Sequence, residues 1–502
     1  MPSVVAALRD RMSGSVADEL RARMPAAAAD AVRARLGVDR RALAALRVAL
    51  GLLVLADLAL RARDLTAFYT DAGVLPRALL LDLYPTVGRL SLFALSGSTA
   101  WAAALFLLTA GIAVALVAGY RSRLAALCLF VLLLSLHTRN LPILNAGDSL
   151  LRRLLLWGAL LPLGARWGLD AKRGGTTGRD RVVSLAAAGL LVQVVAVYAV
   201  NAVIKLRGEA WRSGEAVRYV FGVDALTVGL GDALAGQATL LTLGAHAWLA
   251  LLVASPLLLL ARGPVRTALV AAFAGGHLFM LATLNLGVFP LVSAAGLLAF
   301  LPPAVWDRVE AATAGPRRRL AVVRTRLRTA GRPLLGSLDP PATRTVAALL
   351  FSFVLVWNAA SVGLVALPAA TGSVDAEQRR WDMFAPAPLA TDGWHVPVGT
   401  TTDGEQVDAL RGGPPDRSEP PDPSATYPSH RWYVYLTELR SSPGLRPGFA
   451  EYLCDRWNRT HASDLVTVEL VVGYQPVRLD APDPTRHRTL GTYRCGAVGH
   501  RT

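Results

Sequence analysis

Charge is scarce in this sequence. Only 18% of its 502 residues are charged, 53% are hydrophobic, and the mean hydropathy is +0.41. A soluble chain of this length needs far more charge to cover its surface. Disorder and collagen are excluded by the same arithmetic. Cysteine is nearly missing, with three residues, which excludes a disulfide scaffold. Lysine is rarer still: Lys172 and Lys205 are the only two, and the other basic residues are arginines. Several catalytic signatures are absent as well. There is no Gly-Lys-Ser/Thr phosphate loop, no dinucleotide fingerprint, no Cys-x-x-Cys, no His-Glu-x-x-His and no Gly-x-Ser-x-Gly. Nucleotide hydrolysis, a zinc site and serine hydrolysis are disfavoured accordingly, and no metal is expected. No internal repeat of the secondary-transporter kind is visible.

The apolar residues come in long blocks, which predicts a polytopic membrane protein. A helix needs about 20 apolar residues to cross about 30 Å of hydrocarbon. Spans are expected near 42–62, 101–120, 122–137, 150–165, 182–204, 239–260, 268–284, 285–301 and 345–368. The block 268–301 would be about 51 Å long as one helix, so it is divided near Asn285, where Gly287 and Pro290 favour a break. The expected fold is an all-α polytopic membrane bundle of about nine transmembrane helices. Residues 1–41 are expected to form a charged, amphipathic N-terminal segment without a cleavable signal peptide, with a helix over 16–36 either lying on the inner face or capping the bundle as a solvated helix. The membrane domain covers 42–370.

The formal charge of +16 suggests nucleic acid, but its distribution does not. Residues 1–370 carry 38 Lys+Arg against 19 Asp+Glu, and residues 371–502 carry 14 against 17. The excess belongs to the membrane part. Arg121 and Arg123, the group Arg166 to Arg181, Arg262 and Arg266, and the run Arg317 to Arg332 all fall on the side of the N-terminus if there are nine spans. The positive-inside rule then places the N-terminus in the cytoplasm and the tail outside the cell membrane. The tail, 371–502, is expected to be a small exported α+β domain, mostly sheet. Trp432–Leu436 and Leu465–Val472 read as strands, 447–459 as a helix and 411–428 as a loop. Cys454 and Cys495 lie in this oxidising compartment, either as a disulfide or as two separate thiols, and Cys128 lies in a span. Asn458-Arg459-Thr460 is a glycosylation sequon.

Ionisable groups within spans are functional candidates because burying them is costly. Tyr198, Asn201 and Lys205 fall at i, i+3 and i+7, on one face of the fifth helix. Lysine can give up its proton when desolvated, and arginine cannot; the bland alternative is a snorkelling lysine. The loop before the fourth span holds His137, Arg139, Asn140, Asn145, Asp148, Arg152 and Arg153. Arg152 and Arg153 enter that helix in its first turn, where the dipole disfavours cations. Asp148 is the nearest anion, as a structural ion pair or as part of a site. His277 lies seven residues from the outer end of its helix, about 10 Å, and is either a core histidine or a third site group beside Lys205 and Asp148.

These residues resemble the horizontally transferred transmembrane (HTTM) domain proteins, microbial relatives of vitamin K-dependent gamma-carboxylase. Four pieces carry the likeness: Gly147-Asp148-Ser149-Leu150-Leu151-Arg152 with Pro162 to Trp167, Tyr198 to Trp211, His277 with Gly287 and Phe289, and Trp381-Asp382-Met383-Phe384. The likeness spans about 40–400. It implies that Lys205 is a general base toward a reduced naphthoquinone (menaquinol or vitamin K hydroquinone), with oxygen as oxidant. It also implies that carbon dioxide is added to a glutamate of an exported peptide or protein. His277 and Asp148 join Lys205 as catalytic candidates. Tyr198, Asn201, Trp211, Arg139, Arg152, Arg153 and Asn285 are the substrate- or quinone-binding ones. The carboxylase has an Asn-His pair where this chain reads Asn145-Ala146-Gly147-Asp148, and its tail is longer. That departure weighs against glutamate carboxylation and leaves quinol chemistry at Lys205. The expected partners are the lipid bilayer, a lipid-soluble quinol and an exported substrate, with no nucleic acid. The rival is a non-enzymatic membrane protein for binding, envelope assembly or immunity, whose polar cluster is structural. A transporter ranks last, since the polar residues gather at one end.

Overall fold

A computed structural model describes residues 26–172, 181–313, 340–366, 381–481 and 484–496. Helices dominate its first two-thirds. Helix α1 (Ala26–Leu36) precedes α2 (Arg40–Ala62), which starts where the Asp39 carboxylate accepts the Arg41 amide at 2.8 Å. Helix α3 (Thr99–Ala118) is capped by Ser98 and stopped by Gly119 in the left-handed conformation. Helices α4 (Ser122–Arg139) and α5 (Ala146–Leu160) follow, the latter opened by a reciprocal capping box between Asn145 and Asp148. Then come α6 (Leu185–Arg207), α7 (Ala238–Val253), α8 (Gly263–Thr283), α9 (Phe289–Leu297), α10 (Pro303–Ala312) and α11 (Pro340–Ser361).

A helix falls within each of the nine expected span positions, but the helices are not equally long. Among the described residues six are long and apolar enough to cross a membrane: α2, α3, α4, α6, α8 and residues 342–361 of α11. A seventh results if the pair Phe289–Phe300 and Pro303–Ala312, bent by 107°, is one broken span. Helix α5 has 15 residues and α7 has 16, so each rises only about 23–24 Å. The expected 239–260 span is interrupted after Val253, with a separate turn at Leu257–Leu260 behind Pro256. The division of 268–301 falls where it was expected, between Thr283 and Phe289. Residues 16–25, Arg173, Arg179 and the run 317–332 lie outside the described residues.

The C-terminal unit is a four-stranded antiparallel sheet with two helices. Its strands are β1 (Thr391–Thr401), β2 (Gln406–Asp408), β3 (Leu465–Pro476) and β4 (Arg486–Arg494), in spatial order β2-β1-β3-β4. The expected strand at Trp432–Leu436 is instead part of helix α12 (His430–Ser441). Its buried residues Trp432, Tyr435, Leu436 and Leu439 recur at i, i+3, i+4 and i+7, and Ser429 caps its first turn. The helical period wins over the strand propensity of a Trp-Tyr-Val-Tyr run. Helix α13 (Arg446–Asn458) and strand β3 form at the expected places, and 411–428 is a loop with one short turn at Ser424–Thr426. Cys454 on α13 is bonded to Cys495 after β4.

This unit sits on one end of the helical bundle and shares its core. Phe68, from the connection between α2 and α3, packs against Trp432 and Tyr435 with ring centroids 4.8 and 5.8 Å apart. The other end of the bundle is tied by Arg41, which reaches Asp39, Asp307 and Glu310, and by Asp170, which accepts the amides of Arg121 and Ser122.

Candidate functional site

Lys205 lies in the last turn of helix α6 and is 2% exposed. Its Nζ donates to the carbonyls of Met383 at 2.9 Å and Phe384 at 3.4 Å and sits 3.3 Å from the centre of the Trp211 ring. The Trp211 indole N–H donates to the Phe384 carbonyl at 2.7 Å, and Asn201 donates to the carbonyls of Trp381 and Met383. Two side chains of α6 and one from the short helix Glu209–Ser213 that follows it therefore hold the backbone of 381–384. Phe384 takes a left-handed conformation, with φ of 57°, a state that costs a non-glycine residue about 1–3 kcal/mol. The carbonyl bonds from Lys205 and Trp211 offset that cost. A Cβ at Gly208 would collide with the Pro386 carbonyl, so glycine is required for this close approach.

Two turns back along α6, the Tyr198 hydroxyl lies 3.0 Å from His277 Nε2. Tyr198 stacks on Phe273 at 4.4 Å, and Trp248 and Phe289 contact the imidazole edgewise at 5.5 and 5.8 Å. His277 Nδ1 is buried without a hydrogen-bond partner among the described residues. The result is an aromatic cage with one unused polar atom.

A second cluster forms around Asp148. Arg61 donates to Asp148 at 2.5 Å and to Asp57 at 2.7 Å. Arg431, from α12 of the C-terminal unit, donates to both Asp148 oxygens at 2.6 and 2.8 Å and to Asp57 at 2.9 Å. Two carboxylates thus bridge two guanidinium groups, all four side chains being nearly inaccessible. Burial and the neighbouring Arg61 oppose the Arg431 cation, but Asp148 and Asp57 outweigh them and hold its pKa above the ordinary guanidinium value. Asp57, His137 and Asp148 present ligand-type atoms within 4.8 Å of one another. Their carboxylate oxygens are already taken by arginine donors, so the arrangement is one of charge neutralisation rather than an open chelate.

The expected site residues divide among these clusters. Tyr198 meets His277, and Asn201, Lys205 and Trp211 meet on 381–384. Asp148 pairs with Arg61 and Arg431, not with Arg152 or Arg153, because its capping role in α5 turns it toward α2. Arg152 contacts the His137 ring, and Arg153 lies over the Trp381 ring at 4.4 Å. Arg139 donates to the carbonyls of Leu75 and Thr70 and holds the connection after α2. Asn285 is tied through its amide to Leu226. Asp57, Arg61 and Arg431 were not among the expected residues. Asp57 and Arg61 were detectable as a charged i, i+4 pair within an apolar run. Arg431, in a polar tail, carried no such signal.

The HTTM domain family model matches residues 37–306, more than half of the chain. No curated protein and no solved structure matches.

Proposed function

This chain belongs to the HTTM domain family, and on that premise we propose a multi-pass membrane enzyme that oxidises a quinol with oxygen, with Lys205 as the base. The observation that carries the reading is the setting of Lys205. It is a buried lysine in a chain with only two; its hydrogen bonds go to backbone carbonyls and it lies on an aromatic face, and the nearby Asp382 carboxylate acts on it through charge without a direct ion pair among the described residues. The unpartnered His277 Nδ1 within an aromatic cage suits a flat ring that carries hydroxyl groups. A reduced naphthoquinone supplies two reducing equivalents, so that quinol and oxygen give epoxide and water. Lys205 would take a hydroxyl proton, while Tyr198 and His277 would hold and orient the ring. For Lys205 to reach a substrate, the 381–386 segment must move from its Nζ. On this reading nine helices cross the cell membrane and the C-terminal unit lies outside. Carbon dioxide and an exported peptide enter only if the reaction continues to carboxylation.

The second reading is a non-enzymatic membrane protein. It is favoured by the way Lys205 and Asn201 spend their donors on main-chain carbonyls, as structural residues do. The deciding experiment is oxygen-dependent oxidation of a reduced naphthoquinone by the full chain in detergent, with Lys205→Ala and thermal unfolding alongside. Epoxide from wild type, and at least a hundredfold less from a folded Lys205→Ala, is the expected result. Equal turnover by the variant removes Lys205 from the mechanism. No turnover by folded wild type, with Lys205→Ala merely less stable, favours the second reading.

A further inference from the structure

A cavity of about 170 Å³ lies between helices α5, α6 and α11, separate from the contacts of Lys205. Arg153, Leu156 and Trp157 line it from α5, and Gln193 from α6. Leu350, Phe353, Val354, Trp357 and Asn358 line it from one face of α11 at i, i+3, i+4, i+7 and i+8.

Its walls are mostly apolar, but three polar groups line it, two of them with an unmet hydrogen-bonding atom. Gln193 is 1% exposed, and its Nε2 has no hydrogen-bond partner among the described residues. Asn358 is 9% exposed; its amide N–H donates to the Val354 carbonyl, and its Oδ1 is unpartnered. Leaving a buried donor or acceptor unmet is costly, and one of each on facing helices of one cavity is hard to explain as packing. Arg153 makes no ion pair among the described residues; its guanidinium rests on the Trp381 ring. A cation within a helical bundle, without an anion among the described residues, suits an anionic ligand.

We propose that this cavity binds the monoanionic oxyanion head of a membrane amphiphile. The shared chemistry is that of a fatty-acid carboxylate or an anionic phospholipid phosphodiester. One guanidinium balances one negative charge, and the free Gln193 N–H donates to an oxyanion oxygen; the Asn358 Oδ1, an acceptor, takes no part in holding the anion. A cavity of about 150 Å³ holds a benzene-sized ligand, so this one takes the head and a few carbons but not a whole acyl chain. Phe353 lines the cavity yet is 58% exposed, so the site opens sideways along α11, where the rest of the tail lies in the bilayer. This inference does not depend on the quinol reading, and its test needs no turnover.

The full chain in neutral detergent is titrated with oleate, phosphatidylglycerol, neutral monoolein, acetate and inorganic phosphate. Retained ligands are counted by native mass spectrometry. Wild type is expected to retain one oleate or one phosphatidylglycerol, whichever source is native, saturably and at least tenfold more tightly than monoolein. Arg153→Gln should lose that preference and Arg153→Lys keep it. Val354→Trp fills the cavity without touching a charge and should abolish retention; Leu350→Phe serves if that variant does not fold. Equal retention of monoolein, or unchanged retention in Arg153→Gln or in the folded cavity-filling variant, overturns the proposal. So does binding of acetate or phosphate as tight as that of the tailed ligands.

Discussion

At the residue scale the largest energies sit at Asp148. A carboxylate removed from water survives only when its charge and its lone pairs are met. Here Arg61 and Arg431 meet both, and Asp57 balances the second positive charge. Asp148→Asn leaves two guanidinium groups sharing one carboxylate. It should destabilise the protein by about 3–5 kcal/mol, the cost of breaking a buried pair. Arg431→Met should cost a comparable amount alone. Because both act on one network, the double variant should be well short of the sum. Denaturant unfolding of the four proteins of the cycle in detergent measures this. A strictly additive cycle would show that Arg431 and Asp148 do not interact.

At the scale of elements, the segment 381–386 acts as a plug over the end of helix α6. Its place depends on Gly208, where any side chain would meet the Pro386 carbonyl. The scarcity of lysine allows a direct measurement. In a Lys172→Arg background Lys205 is the single side-chain amine, and an amine-reactive reagent reports its accessibility. With the plug in place, Lys205 should resist labelling in the native state. Gly208→Val should raise its labelling rate at least tenfold in folded protein, read by peptide mapping. Fast labelling without the substitution would mean that the segment does not close over Lys205.

At the scale of the whole molecule, the C-terminal unit is joined to the bundle through His430 as well as Arg431. The Asn145 carbonyl oxygen accepts the Asp148 amide, which turns its Nδ2 toward His430 Nε2, 3.1 Å away. Nε2 is then an acceptor, and the ring is neutral. Burial, followed by the Arg431 charge, lowers the His430 pKa to about 4; Arg61 acts in the same direction and Asp148 against it. The folded pKa is below the ordinary value of about 6.5, so the docked state binds fewer protons than the released one. Its stabilisation is fully present above pH 6.5 and is lost as the pH falls through 4. Hydrogen exchange in α12 should therefore quicken between pH 6.5 and 4, after correction for intrinsic rates. His430→Gln should flatten that dependence, and an unchanged pH profile in His430→Gln would exclude the histidine as its source. Asp392, pushed up to about 6 by burial, runs the other way. Its stabilisation is greatest below pH 4 and fades as the pH rises through 6, so the two are separable by variant.

Composition and apolar run length determined the membrane character, the helical positions and the break near Asn285, because hydrocarbon admits little else than helices. The same patterning gave the face of α6 that bears Tyr198, Asn201 and Lys205, since helical periodicity is a local property. It misjudged Trp432–Leu436, where aromatic content masked a helical period that burial resolved. Only the tertiary structure decided which groups meet. Asp148 pairs with Arg61 and with Arg431, 283 residues away, and Lys205 faces carbonyls 178 and 179 residues on. Partners at such separations are set by how helices and sheet pack, and no local pattern in the chain encodes that choice.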